Sequence, residues 1–118
     1  MRVERELMRG AGPVAVLKLL ERREMYGYEL VEALARHSDG VLAVGQSTLY
    51  PMLYNLEAKG WVTAVTREAP TGRRRRYYRL TKTGNRQLTR QTRQWQALAR
   101  AMQTLGIVPQ PAAREVLA

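Results

Sequence analysis

The chain has 118 residues, enough for a single domain, or a domain with an arm, around a modest hydrophobic core. It has no cysteine, no run of about eighteen apolar residues and no apolar core behind its charged N-terminus, which excludes disulfides, a membrane-spanning helix and a signal peptide. The net charge is +10, and residues 58–114 hold thirteen Lys and Arg but one acid, so we expect a polyanionic partner: nucleic acid rather than a membrane surface, which would need a broad apolar face to enter.

Two amphipathic helices are predicted in the first third of the chain. Residues 1–10 are charged and predict an arm or a loose first turn, and the proline at position 13 suits the start of a helix over residues 13–23. Residues 26–28 interrupt the apolar pattern, and a second helix then extends to about His37. It ends near Gly40, because glycine can adopt the left-handed conformation that closes many helices.

The third predicted helix carries the most informative pattern in the chain. It starts between Gly45 and Thr48, because Pro51 is comfortable only in a first turn, and it ends at Lys59-Gly60. Its core-facing leucines recur at i, i+4 and i+7: Leu49, Leu53 and Leu56. Its exposed face carries hydroxyls, amides and phenols: Gln46, Ser47, Thr48, Tyr50, Tyr54 and Asn55.

This polar face suits DNA. Groups of this kind at an N-terminal turn can bond phosphates and base edges in a major groove, and the free backbone N–H groups of a helix start favour phosphate oxygens. The plainer interpretation is a surface helix whose tyrosines cover the edge of the core, and the helix taken alone favours it. The hairpin that follows reverses that preference.

A basic hairpin, or wing, is predicted over residues 61–80. Apolar and polar residues alternate over residues 62–67 as in a half-buried strand, Pro and Gly mark a loop at residues 68–72, and residues 75–80 pair back. Four arginines leave the turn, followed by two tyrosines of which one packs inward and one faces out: Arg73, Arg74, Arg75, Arg76, Tyr77 and Tyr78. A charge run is usually only a solvated face. Guanidinium groups, however, fit phosphates and narrow minor grooves, so this run predicts nucleic-acid binding.

A long C-terminal helix is predicted from its cap at Thr81 to about Leu105, where Gly106 and Pro109 end it. Apolar residues recur along it with heptad-like spacing: Leu88, Trp95, Leu98, Met102 and Leu105. At about 1.5 Å per residue the helix spans roughly 36 Å, too long for so small a body to cover, so we expect these residues to form a homodimer interface. A two-fold dimer would also place two recognition helices on one side, as a palindromic site needs.

Trp95 lies in the middle of this apolar seam and has two interpretations. It is either a large anchor of the dimer interface or a stacking platform for a flat aromatic ligand held between the two subunits. Chemistry alone favours the anchor, because aromatic stripes are usually buried in a core or an interface.

The sequence predicts no enzyme, no metal site and no cofactor. The one histidine, His37, lies at a helix end, and neither serine, Ser38 or Ser47, falls in a nucleophile motif. The order of elements predicts a mainly α fold with a small β wing. It comprises a winged helix-turn-helix DNA-binding domain over residues 1–81, a C-terminal dimerisation helix over residues 82–106 and a tail over residues 107–118.

Several motifs, taken in order, resemble the PadR family of bacterial transcriptional regulators. They cover about residues 13–84 and are specific as a set: Tyr26-Gly27-Tyr28-Glu29-Leu30, Thr48-Leu49-Tyr50-Pro51, Leu53 with Leu56-Glu57, Lys59-Gly60, and Arg75-Arg76-Tyr77-Tyr78-Arg79-Leu80-Thr81 with Gly84. The resemblance implies a winged-helix dimer that represses promoters and is released by a ligand or signal. It also implies that Thr48, Tyr50 and the wing contact DNA, and that Tyr26 helps to hold a phosphate at the second helix.

Within that family the chain resembles the short branch, which has a single C-terminal helix. Multidrug-sensing members of that branch place a tryptophan about fourteen residues past the Leu-Thr of the wing, and Trp95 is fourteen residues past Thr81. The resemblance therefore raises ligand stacking at Trp95 to equal standing with the interface role. The chain departs from the family pattern at Gly45 and Ser47, where a serine and a glycine respectively are common.

The polar helix, the basic wing and the apolar seam together predict a cytoplasmic, sequence-specific regulator. We expect a homodimeric repressor that binds an inverted-repeat operator in double-stranded DNA, with a small aromatic effector as a candidate partner. Two other classes stay open. A sequence-independent architectural or RNA-binding protein would treat operator and scrambled duplexes alike. A protein that chiefly sequesters aromatic ligands would bind them at Trp95 without any change in DNA affinity.

Overall fold

The computed structural model describes residues 1–111, so residues 112–118 of the predicted tail lie outside the described residues. The elements in chain order are α1 (Arg5–Arg22), β1 (Met25–Tyr26), α2 (Gly27–His37), α3 (Gln46–Ala58), β2 (Val62–Glu68), β3 (Arg74–Leu80) and α4 (Lys82–Thr104). The mainly helical fold with a small antiparallel sheet and a long C-terminal helix is therefore confirmed. The boundary proposed between residues 81 and 82 stays a prediction.

The core lies where the first three helices meet the sheet. The three leucines predicted to face inward from α3 are almost fully buried, with exposed fractions of 0%, 1% and 2%. They pack with apolar side chains from every helix and from all three strands: Val16, Leu17, Leu20, Met25, Leu30, Leu34, Val62, Tyr78 and Leu88. Such burial is worth roughly 1.5–3 kcal/mol per large side chain, which makes this cluster the main source of stability.

The helix α1 begins earlier than the sequence predicts, because Pro13 lies inside it rather than in its first turn. Proline cannot donate to the carbonyl group one turn earlier, so the helix forgoes one hydrogen bond there. Packing compensates, since Met8 and Gly12 are both buried and Gly12 lies against the side chain of Met52 on α3. Residues 5–10 are therefore helical, and only residues 1–4 precede the helix.

The helix α3 starts at Gln46, within the predicted window, but Pro51 falls in its second turn rather than its first. The expectation that a proline is tolerated only in the first turn was therefore wrong here. The missing N–H leaves the carbonyl group of Ser47 without its usual helical donor, on the solvent-exposed side of the helix. The three buried leucines hold the helix together across this gap.

The sheet has three strands, one more than the sequence predicts. The two-residue strand β1 pairs antiparallel with β3, which pairs with β2 on its other edge, so the strand order is β1-β3-β2. In this register Tyr26 lies opposite Tyr77, and Met25 lies opposite Tyr78. The tyrosine pattern is as predicted, because Tyr78 is buried at 4% exposure while Tyr77 lies on the other face of β3.

One joint fixes the direction in which α4 leaves the wing. The hydroxyl group of Thr81 donates to the carbonyl oxygen of Gly60 at 2.7 Å and accepts a hydrogen bond from the N–H of Gly84 at 2.9 Å. The N–H of Thr81 donates to the carbonyl oxygen of Trp61 at 3.1 Å. At Gly84 the helix backbone approaches Trp61 so closely that a Cβ atom would overlap its carbonyl oxygen. The predicted cap at Thr81 is therefore confirmed, and it also joins α4 to the end of α3.

Substituting Gly84 tests this joint. Helix propensity alone would make Gly84→Ala stabilising by about 1 kcal/mol. Because the added methyl group meets a backbone carbonyl that cannot move alone, we expect the free energy of unfolding to fall by about 2–3 kcal/mol instead. Urea unfolding followed by circular dichroism measures it. The control is Gly10→Ala in α1, where a Cβ atom meets nothing within 4 Å and a gain is expected. Equal stability of the two variants would contradict the proposed joint.

Candidate nucleic-acid interface

The N-terminal face of α3 is open to solvent. All six polar residues predicted for this face are exposed: Gln46, Ser47, Thr48, Tyr50, Tyr54 and Asn55. Gly45 occupies the N-cap position, and among the described residues no side chain caps the first N–H groups of the helix. The N–H of Thr48 donates to the carbonyl oxygen of Gly45, which leaves the N–H groups of Gln46 and Ser47 available to an anion, in addition to the hydroxyl and amide side chains around them.

The tyrosine nearest the start of α3 is held against a second helix. The phenol of Tyr50 lies so close to Gly27, the first residue of α2, that a Cβ atom at Gly27 would collide with it. Tyr50 is nevertheless 44% exposed. Glycine at position 27 thus gives room for an aromatic side chain that bridges the start of α2 and the exposed face of α3.

A group of stacked aromatic and cationic side chains forms the base of the wing. The rings of Tyr26 and Tyr77 meet edge to face, with their centroids 5.5 Å apart. The guanidinium group of Arg75 lies 4.3 Å from the centroid of Tyr26, and that of Arg67 lies 4.8 Å from the centroid of Tyr77. Arg67 also forms an ion pair with Glu24. Cation–π contacts of this kind orient the cations while leaving part of each guanidinium group accessible.

The opposite face of the sheet carries a direct link between α3 and the wing. Arg76 on β3 donates a hydrogen bond of 2.7 Å to the carboxylate of Glu57 in the last turn of α3. Its guanidinium group also lies 5.7 Å from the centroid of the Tyr78 ring. These contacts, first the bond to Glu57 and then Tyr78, raise the pKa of Arg76 above its ordinary value. Tyr50 and Tyr54 complete a pocket of about 290 Å³ between helix and wing.

The two arginines at the tip of the wing differ from the two that follow. Arg73 and Arg74 are exposed, and their guanidinium groups form no ion pair with the described part of the chain. Gly72 adopts a positive φ of 89°, and Ala69 accepts and donates the backbone hydrogen bonds that close the hairpin. The tip therefore presents two uncommitted positive charges on a well-defined turn.

The predicted DNA-binding residues thus fall into three groups. The exposed face of α3 and the tip arginines lie on the surface, Tyr26, Arg75 and Tyr77 form the stacked base of the wing, and Arg76 is bonded to α3. Three participants were not predicted: Glu24, Glu57 and Arg67. Their sequence neighbourhood gives little sign of these roles, because each depends on a contact between distant parts of the chain.

The predicted dimer seam on α4 needs one correction. Leu88 is 3% exposed and belongs to the chain's own core, because the first half of α4 packs on α1. Farther along the helix the apolar residues emerge, with exposed fractions of 39% at Trp95, 43% at Leu98 and 73% at Leu105. Met102 is half-buried. The exposed seam therefore begins near Trp95.

Two open pockets flank Trp95. One, of about 420 Å³, lies between α1 and α4 and is also lined by Trp61, Arg9 and Lys59. The other, of about 470 Å³, is more apolar and includes Val14 and Ala99. The chain thus leaves an aromatic side chain accessible on both sides of α4.

No metal centre emerges from residues 1–111. Within them, no three His, Cys, Asp or Glu side chains come together in the way a metal ion requires. No helix in this part of the chain is both long and apolar enough to cross a membrane. The described residues do present an exposed helix face, a basic wing and an apolar seam.

Comparison with known proteins agrees with this geometry. Residues 16–90 match the family described as the Transcriptional regulator PadR-like family. The chain is similar to a transcriptional regulator of Mycobacterium tuberculosis, with 38% identity over 96 residues that cover 81% of this chain and 86% of that protein. The crystal structure of a PadR family transcriptional regulator from Eggerthella lenta superimposes with a TM-score of 0.74 and 35% identity, covering 85% of both chains.

A third similar structure contains DNA. It is Bacillus subtilis PadR in complex with operator DNA, which matches with a TM-score of 0.62 and 26% identity. The match covers 68% of this chain and 45% of that chain, so the aligned part corresponds to less than half of the larger regulator.

Proposed function

Because this chain belongs to the Transcriptional regulator PadR-like family, we propose that it is a homodimeric repressor that reads an inverted-repeat operator and responds to a small aromatic ligand. Family membership makes it a DNA-binding transcriptional regulator rather than an enzyme. The observation that carries the finer proposal is the exposed polar face of α3 together with two arginines at the wing tip that form no ion pair with the described residues. The proposal also implies a cytoplasmic location, where a prokaryotic chromosome lies.

The two parts of the surface have different tasks in this proposal. The start of α3 enters a major groove about 12 Å wide, where Thr48 and Asn55 meet base edges and Tyr50 reaches a phosphate. Arg73 and Arg74 contact the backbone or an adjacent minor groove, because guanidinium groups bind phosphate oxygens without reading the sequence. Tyr26, Arg75 and Tyr77 hold the wing in position for those contacts.

The salt dependence of binding can distinguish the base contacts proposed for α3 from the phosphate contacts proposed for the wing tip. We expect Thr48→Ala to lower the affinity for the operator by roughly tenfold, the usual cost of a lost base contact, and to leave binding to scrambled DNA unchanged. Arg73→Gln should weaken binding to both duplexes and reduce the slope of log K against log salt by about 0.9 per protomer. Fluorescence anisotropy at several salt concentrations, with DNA from just upstream of the gene, measures both effects.

A control variant shows whether these effects are specific to the proposed DNA surface. Gln96→Ala changes an exposed residue of α4 on no proposed DNA surface, and it should bind both duplexes like the wild type. If wild-type protein binds operator and scrambled duplexes equally, and a genome-wide selection finds no preferred site, the architectural alternative is correct instead.

The dimer is proposed from the exposed seam on α4. The second half of this helix has apolar residues open to solvent. The molecule is elongated, measuring 56 × 32 × 29 Å. Apolar patches of this kind on an otherwise polar helix commonly mark an interface. A two-fold axis along the seam would pair the helices and set the two wings symmetrically, as an inverted repeat requires.

A charge in the seam should dissociate the dimer. Leu98→Glu places a carboxylate where we expect two helices to meet, and it should convert the protein to a monomer at micromolar concentration because an unpaired buried charge is costly. Thr89→Glu adds the same charge to an exposed residue outside the seam and should leave the dimer intact. Sedimentation velocity distinguishes the two states. A wild-type monomer would contradict the proposal directly.

Ligand response is proposed at Trp95, which remains 39% exposed and has an open pocket on each side of α4. An aromatic ligand stacked on this ring would lie in the proposed interface, where it could change the relative orientation of the two protomers. The site would then couple ligand binding to DNA affinity by a reciprocal free energy.

Fluorescence tests the ligand response. The chain has two tryptophans, so Trp61→Phe leaves Trp95 as the single emitter. We expect planar aromatic compounds to quench this emission and to weaken operator binding by about 5–150-fold, the range of typical allosteric coupling. Trp95→Leu should abolish the response of DNA binding to the same compounds. Quenching without any change in operator affinity would indicate a ligand-sequestering protein instead.

A further inference from the structure

The ion pair between Glu57 and Arg76 joins the two parts of the proposed DNA surface. Glu57 lies in the last turn of α3, and Arg76 lies in β3, nineteen residues later in the chain. Their bond of 2.7 Å is the one side-chain hydrogen bond between α3 and the wing in the described part of the chain. Tyr78 lies beneath the guanidinium group and belongs to the core. The link therefore rests on a buried residue, although its two charged groups reach solvent.

The charge of Arg76 is paired within the described part of the chain, unlike the charges of Arg73 and Arg74 at the wing tip. Arg73 and Arg74 have no ion-pair partner in residues 1–111, whereas Arg76 is neutralised by a carboxylate and is oriented by Tyr78. Side chains of Arg76 and Glu57 are 52% and 32% exposed. A neutral pair attracts phosphate weakly, and a lone carboxylate at this place would repel it. The four consecutive arginines are thus not equivalent.

We propose that Glu57 and Arg76 determine operator specificity by fixing the wing relative to α3, so that Arg76 is a positioning residue and not a phosphate contact. This inference rests on the proposed function, because it concerns the same DNA surface. Tyr50 and Tyr54 line the pocket that the pair closes, so the pair also sets the spacing between the groove-reading helix and the hairpin.

Specificity follows from the need to dock two elements at once. A helix in the major groove and a wing on the adjacent backbone fit one operator geometry only if their separation is already set before binding. When the link is broken, α3 and the wing can each still contact phosphates. The two elements are then no longer held at the separation that lets both dock on the operator at once. Non-specific binding should then survive while the preference for the operator falls.

A mutant cycle at the two positions tests the inference. The variants are Glu57→Gln, Arg76→Gln and the double variant, with Arg73→Gln as a matched control that removes an equal charge from the wing tip. Each full-length protein is titrated against operator and scrambled duplexes over a range of salt concentrations. Thermal unfolding checks that every variant is folded, with a midpoint within a few degrees of the wild type.

The expected results have opposite signs for the two partners. Glu57→Gln frees Arg76 for phosphate, so we expect scrambled DNA to bind roughly three- to tenfold more tightly, with the salt slope steeper by about 0.9 per protomer. Arg76→Gln leaves the carboxylate uncompensated, so binding to scrambled DNA should weaken several-fold. The double variant replaces one neutral pair with another and should bind scrambled DNA within about twofold of the wild type. In all three, the ratio of operator to scrambled affinity should fall by about tenfold.

The control separates this inference from the proposed function. Arg73→Gln should weaken binding to both duplexes equally and leave the ratio of operator to scrambled affinity unchanged. If Glu57→Gln leaves scrambled binding unaltered, and Arg76→Gln and the double variant both flatten the salt slope by about 0.9, then Arg76 contacts phosphate and the inference is wrong, although the proposed function stands. If the wild type itself does not prefer the operator, the proposed function fails, and this inference fails with it.

Discussion

The architecture depends on a small joint at the start of the last helix. The hydroxyl group of Thr81 bonds the carbonyl oxygen of Gly60 and the N–H of Gly84, and the backbone at Gly84 lies directly on the carbonyl group of Trp61. The end of α3, the first strand of the wing and the start of α4 thus meet within one turn of chain. A side chain at position 84 would be excluded, so the three elements are held by close backbone contact together with the hydroxyl group of Thr81.

Around this joint the protein separates rigid support from exposed function. The aromatic rings of Tyr26, Tyr77 and Tyr78 pack against strands or core and hold cationic side chains in place. The groups proposed to touch DNA extend beyond this support, at the start of α3 and at the wing tip. Such an arrangement limits the conformational entropy lost on binding, since the helix and turn that carry the contacts are already ordered.

Most of the fold could be predicted because its signals are local. The spacing of Leu49, Leu53 and Leu56 identifies the buried face of α3, and alternation in the hairpin predicts that one of its two tyrosines is buried and the other faces out. The errors come from contacts between distant residues. Pro13 is tolerated inside α1 because Met8 and Gly12 are packed, and β1 is too short for any period to show.

The candidate site was predictable as a surface but not as a set of contacts. Composition marks four arginines, yet only the fold distinguishes the tip pair from Arg75, which stacks on Tyr26, and Arg76, which bonds Glu57. In the same way, a heptad pattern cannot tell whether Leu88 faces its own core or a partner, because both environments select for the same apolar side chain.

Because the joint is rigid, a tilt of α4 would displace the wing, and the displacement would be largest at the wing tip. The strand β3 has seven residues, which at about 3.3 Å each separates the wing tip from Thr81 by roughly 23 Å. If α4 tilts by about 5° and the joint transmits the tilt, the tip moves by about 2 Å, comparable to a large part of a hydrogen-bond length. A slight tilt of α4, far from the proposed DNA contacts, would therefore be enough to break or restore a contact between the wing tip and a phosphate.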